Sequence, residues 1–244
     1  MANLKEKEGK NTLEKIIKLL NQLAQKHNEY EVFYDFMELS ALCIANKYDS
    51  IAGEKYEARE EQYRKTVSKY SPEEFKLITE AFAYLWNLLK NSVENEEYFD
   101  YLGKLYMEFG TNSKAKGQFF TPYNVSNLMA NMSLDIDKIK AEIEKDPLNY
   151  VMTVNECCVG SGGMVIAIMD QLNKNGINYC HNTFTVCNDK DLRCVYMCYI
   201  QLSLLGIPAI VRHQDTITQE IYDEFHTPGY TLQYLRFRNK VKNL

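Results

Sequence analysis

A glycine-rich turn, Gly160-Ser-Gly-Gly163, stands between two runs of regular structure. Residues 150–154 before it are typical of a strand, and residues 164–172 after it are typical of a helix. Glycines directly after a buried strand let the chain turn tightly and let a ligand approach the backbone closely. The helix that follows would direct its N-terminus at that ligand. A plain packing turn is the alternative, and the acid Glu156 before the glycines favours a nucleoside site.

The same alternation of strand and helix continues after the turn. Residues 184–186 are strand-like, residues 192–205 form a helical run, and residues 209–211 are strand-like again. Strand–helix–strand–helix–strand predicts a parallel sheet with right-handed crossovers. We therefore expect an α/β fold, with a partial Rossmann-like domain of three recognisable parallel strands over residues 111–244.

Residues 1–110 are predicted to form a separate helical domain. Apolar residues recur at helical spacing through this half, and the pattern contains no strand signal. Thr12 is a predicted helix cap, and Ser71 followed by Pro72 is a clear helix start. A last helix is expected over residues 98–109. Beyond it we expect a loop over residues 111–121, a short helix to Met132 and a second loop that ends at Pro147.

Composition limits the environment of the protein. Among the 244 residues no apolar run approaches the roughly 20 residues that span a bilayer, and the first residues are charged and polar. A cytoplasmic protein that contacts no membrane is expected. The seven cysteines are odd in number and form no CxxC pair, so buried or free thiols are expected rather than a zinc site, and no metal is predicted.

Charge argues against a protein that binds DNA by itself. The net charge is −5, whereas DNA-binding domains usually present a basic surface. The richest basic cluster lies near the C-terminus and is explained by a solvated tail. It comprises Arg236, Arg238, Lys240 and Lys242. If the protein binds DNA, a partner is expected to provide much of the phosphate contact.

Acidic residues follow the second and third predicted strands. A carboxylate at the end of the second strand of a Rossmann unit accepts hydrogen bonds from ribose hydroxyls. Asp189 is the first choice for this role and Asp191 the second, although Asp191 suits a helix cap equally well. Asp215 after the third strand would face an adenine ring, with a turn or cap as its alternative.

The order of these elements resembles the adenine-N6 modification subunits of type I restriction-modification systems. Residues 100–109 also look like a helix found in the compact phage- and mobile-element-borne members of that family. Gly117-Gln-Phe-Phe-Thr-Pro122 resembles the GQF/Y-Y/F-TP element of that family, and Glu156–Gly163 resembles its D-P-x-x-G-S-G-G loop. The resemblance covers about residues 98–218. It implies an S-adenosylmethionine-dependent methyltransferase fold.

The resemblance also implies which residues contact the cofactor. Phe119 and Thr121 would contact the methionine part of S-adenosylmethionine. The loop residues and the acids would complete the site, with Asp189 on the ribose and Asp215 on the adenine side. The remaining cofactor-binding candidates are Glu156, Gly160, Ser161 and Gly162.

The catalytic motif of the family has no counterpart here. Amino methyltransferases carry [Asp/Asn/Ser]-Pro-Pro-[Tyr/Phe] after the fourth strand, to hold the target amino group and stack on the flipped base, and this chain contains no Pro-Pro. Thr227-Pro-Gly-Tyr230 is the nearest match, so Thr227 and Tyr230 are weak catalytic candidates. The acidic residues 222–225 before it are unlike a buried central strand.

Three strands would leave the first strand with an open edge, which is an aggregation hazard unless it is covered. Residues 230–238 contain enough β-formers to serve as a surrogate strand, or a partner would supply one.

The resemblance implies site-specific methyl transfer to adenine N6 in DNA, without a metal. A specificity or restriction subunit, or a second copy of the chain, is the expected partner. The alternatives are a catalytically reduced cofactor-binding or regulatory subunit and a remnant with a structural role.

Overall fold

The structure, a computed structural model, describes residues 2–109 and 119–242, with the side chains of residues 9–49, 51, 53–109 and 119–236. The first half is helical, as predicted. Its helices are α1 (Ala2–Ala24), α2 (Glu29–Tyr48), α3 (Tyr56–Val67), α4 (Pro72–Glu94) and α5 (Tyr101–Phe109), with a 3-10 helix over Ser50–Lys55.

The second half alternates helices and strands. Two helices, α6 (Tyr123–Ser133) and α7 (Ile136–Lys145), precede the first strand. The order then is β1 (Met152–Glu156), α8 (Gly163–Lys174), α9 (Tyr179–Asn182), β2 (Thr183–Asp189), α10 (Leu192–Leu204), β3 (Ala209–Asp215), β4 (Glu220–His226) and α11 (Pro228–Lys242).

The four strands form one sheet in the order β1-β2-β3-β4. β1 pairs with β2 and β2 with β3 in parallel, so the three predicted strands and the α/β fold class are confirmed. β4 pairs with β3 antiparallel. The acidic residues of β4 are unlike those of a buried central strand. They suit an edge strand, because charged side chains there prevent pairing with another chain. Within the described residues, β1 pairs with β2 alone, and its other edge is open as predicted.

Three local predictions were wrong. Residues 136–145 form α7 and not a loop, because Asp135 caps a helix whose Ile139 packs into the core. α1 begins at Ala2, so Thr12 lies inside the helix rather than at its start. Residues 230–238 are part of α11 and do not form a surrogate strand, since Pro228 starts a helix there.

Local signals explain the helix boundaries that were predicted correctly. Ser71 and Glu74 form a reciprocal capping box at the start of α4, with Pro72 at its first position. Apolar residues on one face of α4, such as Leu85 and Leu89, are fully buried. Within the described residues no helix is long and apolar enough to cross a membrane.

The helical half packs directly on the helices of the sheet. α2 lies against α10, and buried residues of both halves belong to one hydrophobic core. Cys187 of β2 and Cys194 and Cys198 of α10 are buried inside this core, as expected. A division into two domains near residue 110 stays a prediction, because the described contacts join the two halves.

A buried cluster of charges joins the helical half to β4. The carboxylate of Asp49 accepts hydrogen bonds from Arg59 at 3.0 Å and from the His226 ring at 3.0 Å. The other ring nitrogen of His226 lies 3.0 Å from Glu224, which also accepts from Arg212 at 2.6 Å. Burial alone would lower the pKa of His226, but the hydrogen bonds to Asp49 and Glu224 raise it to about 9. His226 is therefore a cation at neutral pH.

This cluster predicts a loss of stability in mild alkali. The pKa of His226 is about 9 in the folded protein, against an ordinary value of 6.5, so its contribution is complete below about pH 6.5 and is lost as the pH rises through 9. The free energy of unfolding should fall by about 3 kcal/mol as the pH rises from 6.5 to beyond 9. Urea unfolding at successive pH values measures it.

His226→Gln should flatten this dependence, because the titrating ring is gone. His213→Gln is the matched control, since the His213 ring makes one hydrogen bond to the Lys190 carbonyl, outside the cluster. Equal pH profiles for the wild type and His226→Gln would contradict the prediction.

Candidate functional site

The three predicted acids are the last residues of three neighbouring strands. Glu156 ends β1, Asp189 ends β2 and Asp215 ends β3. Glu156 is in register with Cys187, and Asp189 with His213. Because the strands are parallel, their carboxyl ends meet at one edge of the sheet. This edge is where open α/β sheets bind ligands.

The glycine-rich turn lies at the same edge, between β1 and α8. Gly160 has φ +56° and Gly162 has φ +101°, conformations that residues with a side chain rarely adopt. Gly162 is the N-cap of α8, and its amide donates to the Val159 carbonyl at 3.0 Å. The amide of Val159 in turn donates to Asn188 of β2 at 2.9 Å. The turn is therefore tied to the neighbouring strand by its backbone.

The carboxylate of Asp189 completes this connection. One of its oxygens accepts from the Gly160 amide at 2.9 Å, and the other accepts from the Asp191 amide at 2.9 Å. Burial raises the pKa of Asp189, and the two amides oppose that rise. Asp189 therefore shapes the glycine turn. Each carboxylate oxygen has a second lone pair, which can accept a hydrogen bond from a ribose hydroxyl as well.

Asp191 and Asp215 act mainly as local caps. Asp191 caps α10 by accepting from the Arg193 amide at 2.9 Å, which is the alternative expected for it. Asp215 accepts from the amides of Ile217 at 2.9 Å and Thr218 at 3.2 Å. Lys190 lies 2.5 Å from its other oxygen and holds the pKa of Asp215 below its ordinary value. Contact of Asp215 with an adenine stays a prediction.

Glu156 and its neighbours form the side of the turn next to β1. The half-buried Glu156 carboxylate accepts from the Cys158 amide at 3.3 Å. The hydroxyl of Thr216, which follows β3, donates to the Cys157 carbonyl at 2.6 Å. The segment between β1 and Gly160 is thus connected to the ends of both other parallel strands.

The segment that precedes α6 reaches the glycine turn through Phe120. A Cβ at Gly160 would lie 3.0 Å from the Phe120 ring, which also packs on Tyr106 at 5.2 Å between centroids. The ring of Phe119 is 79 % exposed, and Thr121 is exposed too. Their contact with a cofactor stays a prediction. Gly117, the first residue of this element, lies outside the described residues.

Ser161 is turned inward and lies in the core. It is 2 % exposed, and its hydroxyl donates to the Asp100 carboxylate at 2.5 Å. Only the backbone of Ser161 is therefore available to a ligand. Sequence reasoning missed Asp100 and its second donor, Gln201. An acid directly before a helix was readable as a cap, but its partner 61 residues later was not.

Thr227 and Tyr230 lie at the other end of the parallel strands, beside the starts of β3 and β2. Thr227 is fully buried beside the start of β3, where its hydroxyl donates to the Ile207 carbonyl and accepts from the Ala209 amide. Tyr230 packs on Phe184, near the start of β2. Neither residue is brought to the glycine turn, and their hydrogen bonds and packing close the junction between the sheet and α11.

These positions together fit a nucleoside ligand with a positively charged group. Gly160 and Gly162 expose backbone without side chains directly before α8. The free amides at the start of a helix attract polar or negatively charged atoms of a ligand. The carboxylates of Glu156 and Asp189 accept hydrogen bonds from amides of the same segment, those of Cys158 and Gly160. In the described part of the chain, no three His, Cys, Asp or Glu side chains are placed to hold a metal ion.

The Asp189 hydrogen bonds predict the effect of an isosteric change. Asp189→Asn puts an amide donor against one of the two backbone donors, so the free energy of unfolding should fall by about 1–3 kcal/mol. Urea unfolding measures it. Asp135→Asn is the matched control, because Asp135 accepts from Lys138 at the start of α7 and asparagine caps a helix equally well. Equal losses in both variants would refute the assigned role.

One comparison with known proteins finds a match over the part of the chain that contains these strand ends and the glycine turn. No curated protein matches the chain. A Listeria monocytogenes protein described as a class I S-adenosylmethionine-dependent methyltransferase is similar in structure, with 11% identity and a TM-score of 0.41. The similarity covers 82% of this chain and 52% of that protein, so the chain spans about half its length. The N-6 DNA methylase family matches residues 98–233. Since this match covers more than half of the residues, the chain belongs to the N-6 DNA methylase family.

Proposed function

We propose that this chain binds S-adenosylmethionine and takes part in methyl transfer to adenine N6 in DNA, in the manner of type I modification subunits. The observation that supports the proposal is the meeting of the glycine turn with the ends of β1 and β2. This meeting lies inside the region that matches the family. Family membership implies S-adenosylmethionine as the methyl donor.

The residues of the turn suit different parts of this cofactor. Gly160 and Gly162 let the backbone approach the ligand, and α8 directs its N-terminus toward it. The carboxylate of Glu156 would attract the cationic end of the cofactor. Asp189 would accept from the ribose hydroxyls while it holds the Gly160 amide. Phe120 would limit the space above Gly160.

The bound cofactor supplies a methyl group made electrophilic by its sulfonium. The protein has to place the adenine amino group in line with that methyl group and to exclude water, and it needs no metal for this. Adenine has to leave the base stack to reach such a site. The glycine turn and the ends of β1 and β2 would form the cofactor side of this arrangement.

The DNA side is proposed to depend on a partner. The chain has a net charge of −5. Thr227 and Tyr230 lie beside the starts of β3 and β2, at the opposite end of the strands from the glycine turn. The open edge of β1 is next to the turn and is where a further strand would extend the sheet. A specificity or restriction subunit, or a second copy of the chain, would provide the base-binding residues and the phosphate contacts.

Calorimetric titration with S-adenosylmethionine tests the cofactor site. We expect binding by the wild type and a loss of at least about tenfold in affinity for Gly160→Asp, which is about 1.4 kcal/mol. The new side chain would press on Phe120 and bring a second carboxylate next to Asp189.

Gly176→Asp is the matched control. Gly176 also has a positive φ, of +74°, but it lies beyond the far end of α8 with no atom within 4 Å of an added Cβ. It should bind the cofactor as the wild type does. An affinity equal in all three proteins would exclude the glycine turn as the site.

Transfer of a labelled methyl group tests the acceptor. Incubation with DNA should place the label on N6-methyladenine after digestion to nucleosides, and DNA without adenine should remain unlabelled. The measurement is made on the chain alone and with a DNA-binding subunit from the same source. Cofactor binding without transfer in both cases would favour the alternative, a cofactor-binding or regulatory partner.

A further inference from the structure

A buried carboxylate of the helical half lies against the glycine turn. Asp100 directly precedes α5 and is 5 % exposed. It accepts hydrogen bonds from the Ser161 hydroxyl at 2.5 Å, the Gln201 side chain at 2.8 Å and the Gly103 amide at 2.9 Å. These three donors come from the turn, from α10 and from α5. One carboxylate therefore connects three segments that are distant in the sequence.

The side chain of Gln201 binds both Asp100 and the backbone of Ser161. Its side-chain nitrogen donates both to Asp100 and to the Ser161 carbonyl, at 2.7 Å. Its side-chain oxygen accepts from the Leu102 amide at 3.1 Å. Gln201 is fully buried, so no water competes for these bonds. Ser161 is thus fixed both at its hydroxyl and at its carbonyl.

The packing around Asp100 leaves no room for a side chain at Gly103 or Gly163. A Cβ at Gly103 would overlap both the Asp100 carboxylate and the Ser161 hydroxyl, and a Cβ at Gly163 would lie 2.9 Å from Asp100. The Asp100 carboxylate therefore sits at the first turn of α8, where the helix dipole favours a negative charge. Burial raises the pKa of Asp100, and its three donors oppose that rise.

We propose that Asp100 is a positioning residue for the cofactor, which sets the conformation of the glycine turn through Ser161 and Gln201. This inference rests on the proposed function. Asp100 does not touch the cofactor. It holds Ser161 inward, and the two glycines with positive φ on either side of Ser161 then present their backbone to the ligand.

A double-mutant cycle tests the connection to binding. Asp100→Asn keeps the shape of the side chain but removes the charged acceptor of the Ser161 hydroxyl, and Ser161→Ala removes that hydroxyl. Each should weaken S-adenosylmethionine binding by about tenfold in calorimetry. Because both changes break the same hydrogen bond, the double variant should also lose about tenfold and not about a hundredfold.

Glu38→Gln is the control for a merely structural effect. Glu38 is also a buried carboxylate, which accepts from Thr66 at 2.6 Å and Gln62 at 3.2 Å within the helical half. Its loss should shift the urea midpoint as Asp100→Asn does while leaving the affinity for S-adenosylmethionine unchanged. Equal losses of affinity in Glu38→Gln and Asp100→Asn would overturn the proposal.

Amide hydrogen exchange gives a readout that needs no cofactor. The Gly162 amide, which donates to Val159, should exchange faster in Asp100→Asn and Ser161→Ala than in Glu38→Gln. Unchanged exchange and unchanged affinity in the first two variants would overturn the positioning role alone. A folded wild type that does not bind S-adenosylmethionine would instead overturn the proposed function, and with it the cofactor role of Asp100.

Discussion

Parallel pairing of β1, β2 and β3 is the interaction on which the candidate site depends. Three strands that run in the same direction end at the same edge, and each ends here in a carboxylate. The crossover helices α8 and α10 then begin at that edge. The antiparallel β4 adds its acidic residues on the far side of β3 and leaves the β1 side open. The candidate binding edge is thus built from the ends of three parallel strands and the starts of two helices.

Much of the fold could be predicted, because the patterns concerned are local. A glycine turn between a strand and a helix, and caps such as Ser71, act within a few residues. Two segments were misassigned where local preferences compete. Residues 136–145 were assigned to a loop, although their apolar residues have helical spacing and Asp135 caps a helix there. Residues 230–238 contain many β-formers, but the start at Pro228 and packing on the sheet favour a helix.

The candidate site could likewise be predicted only in part. Strand ends are local features, so Glu156, Asp189 and Asp215 could be named from the sequence and are found at one edge. Which hydrogen bonds those carboxylates accept could not be inferred, because the donors come from other segments. Asp215 is already occupied by Lys190 and two amides, whereas Asp189 reaches across to Gly160. Asp100 was missed for the same reason.

The buried charges show how the two halves depend on each other. Asp49 and Arg59 of the helical half meet His226 of the sheet, and a buried ion that loses its partner is strongly destabilising. Separating the halves would break the hydrogen bonds of Asp49 to His226 and of Arg59 to the Glu224 carbonyl, so each buried group would keep fewer partners. Buried charges therefore join the helical half to the sheet, in addition to the hydrophobic core that the two halves share.

The contact between Asp100 and Ser161 also bears on where the chain can be cut. A division at residue 110 follows the change from helices to alternating strands, yet the matched family region begins at residue 98, two residues before Asp100. A fragment that started at residue 111 would keep all four strands and the glycines but would lack α5. Its Ser161 hydroxyl would then lack its acceptor, the Asp100 carboxylate. The smallest unit able to preserve the turn thus begins inside the helical half, earlier than the sheet it serves.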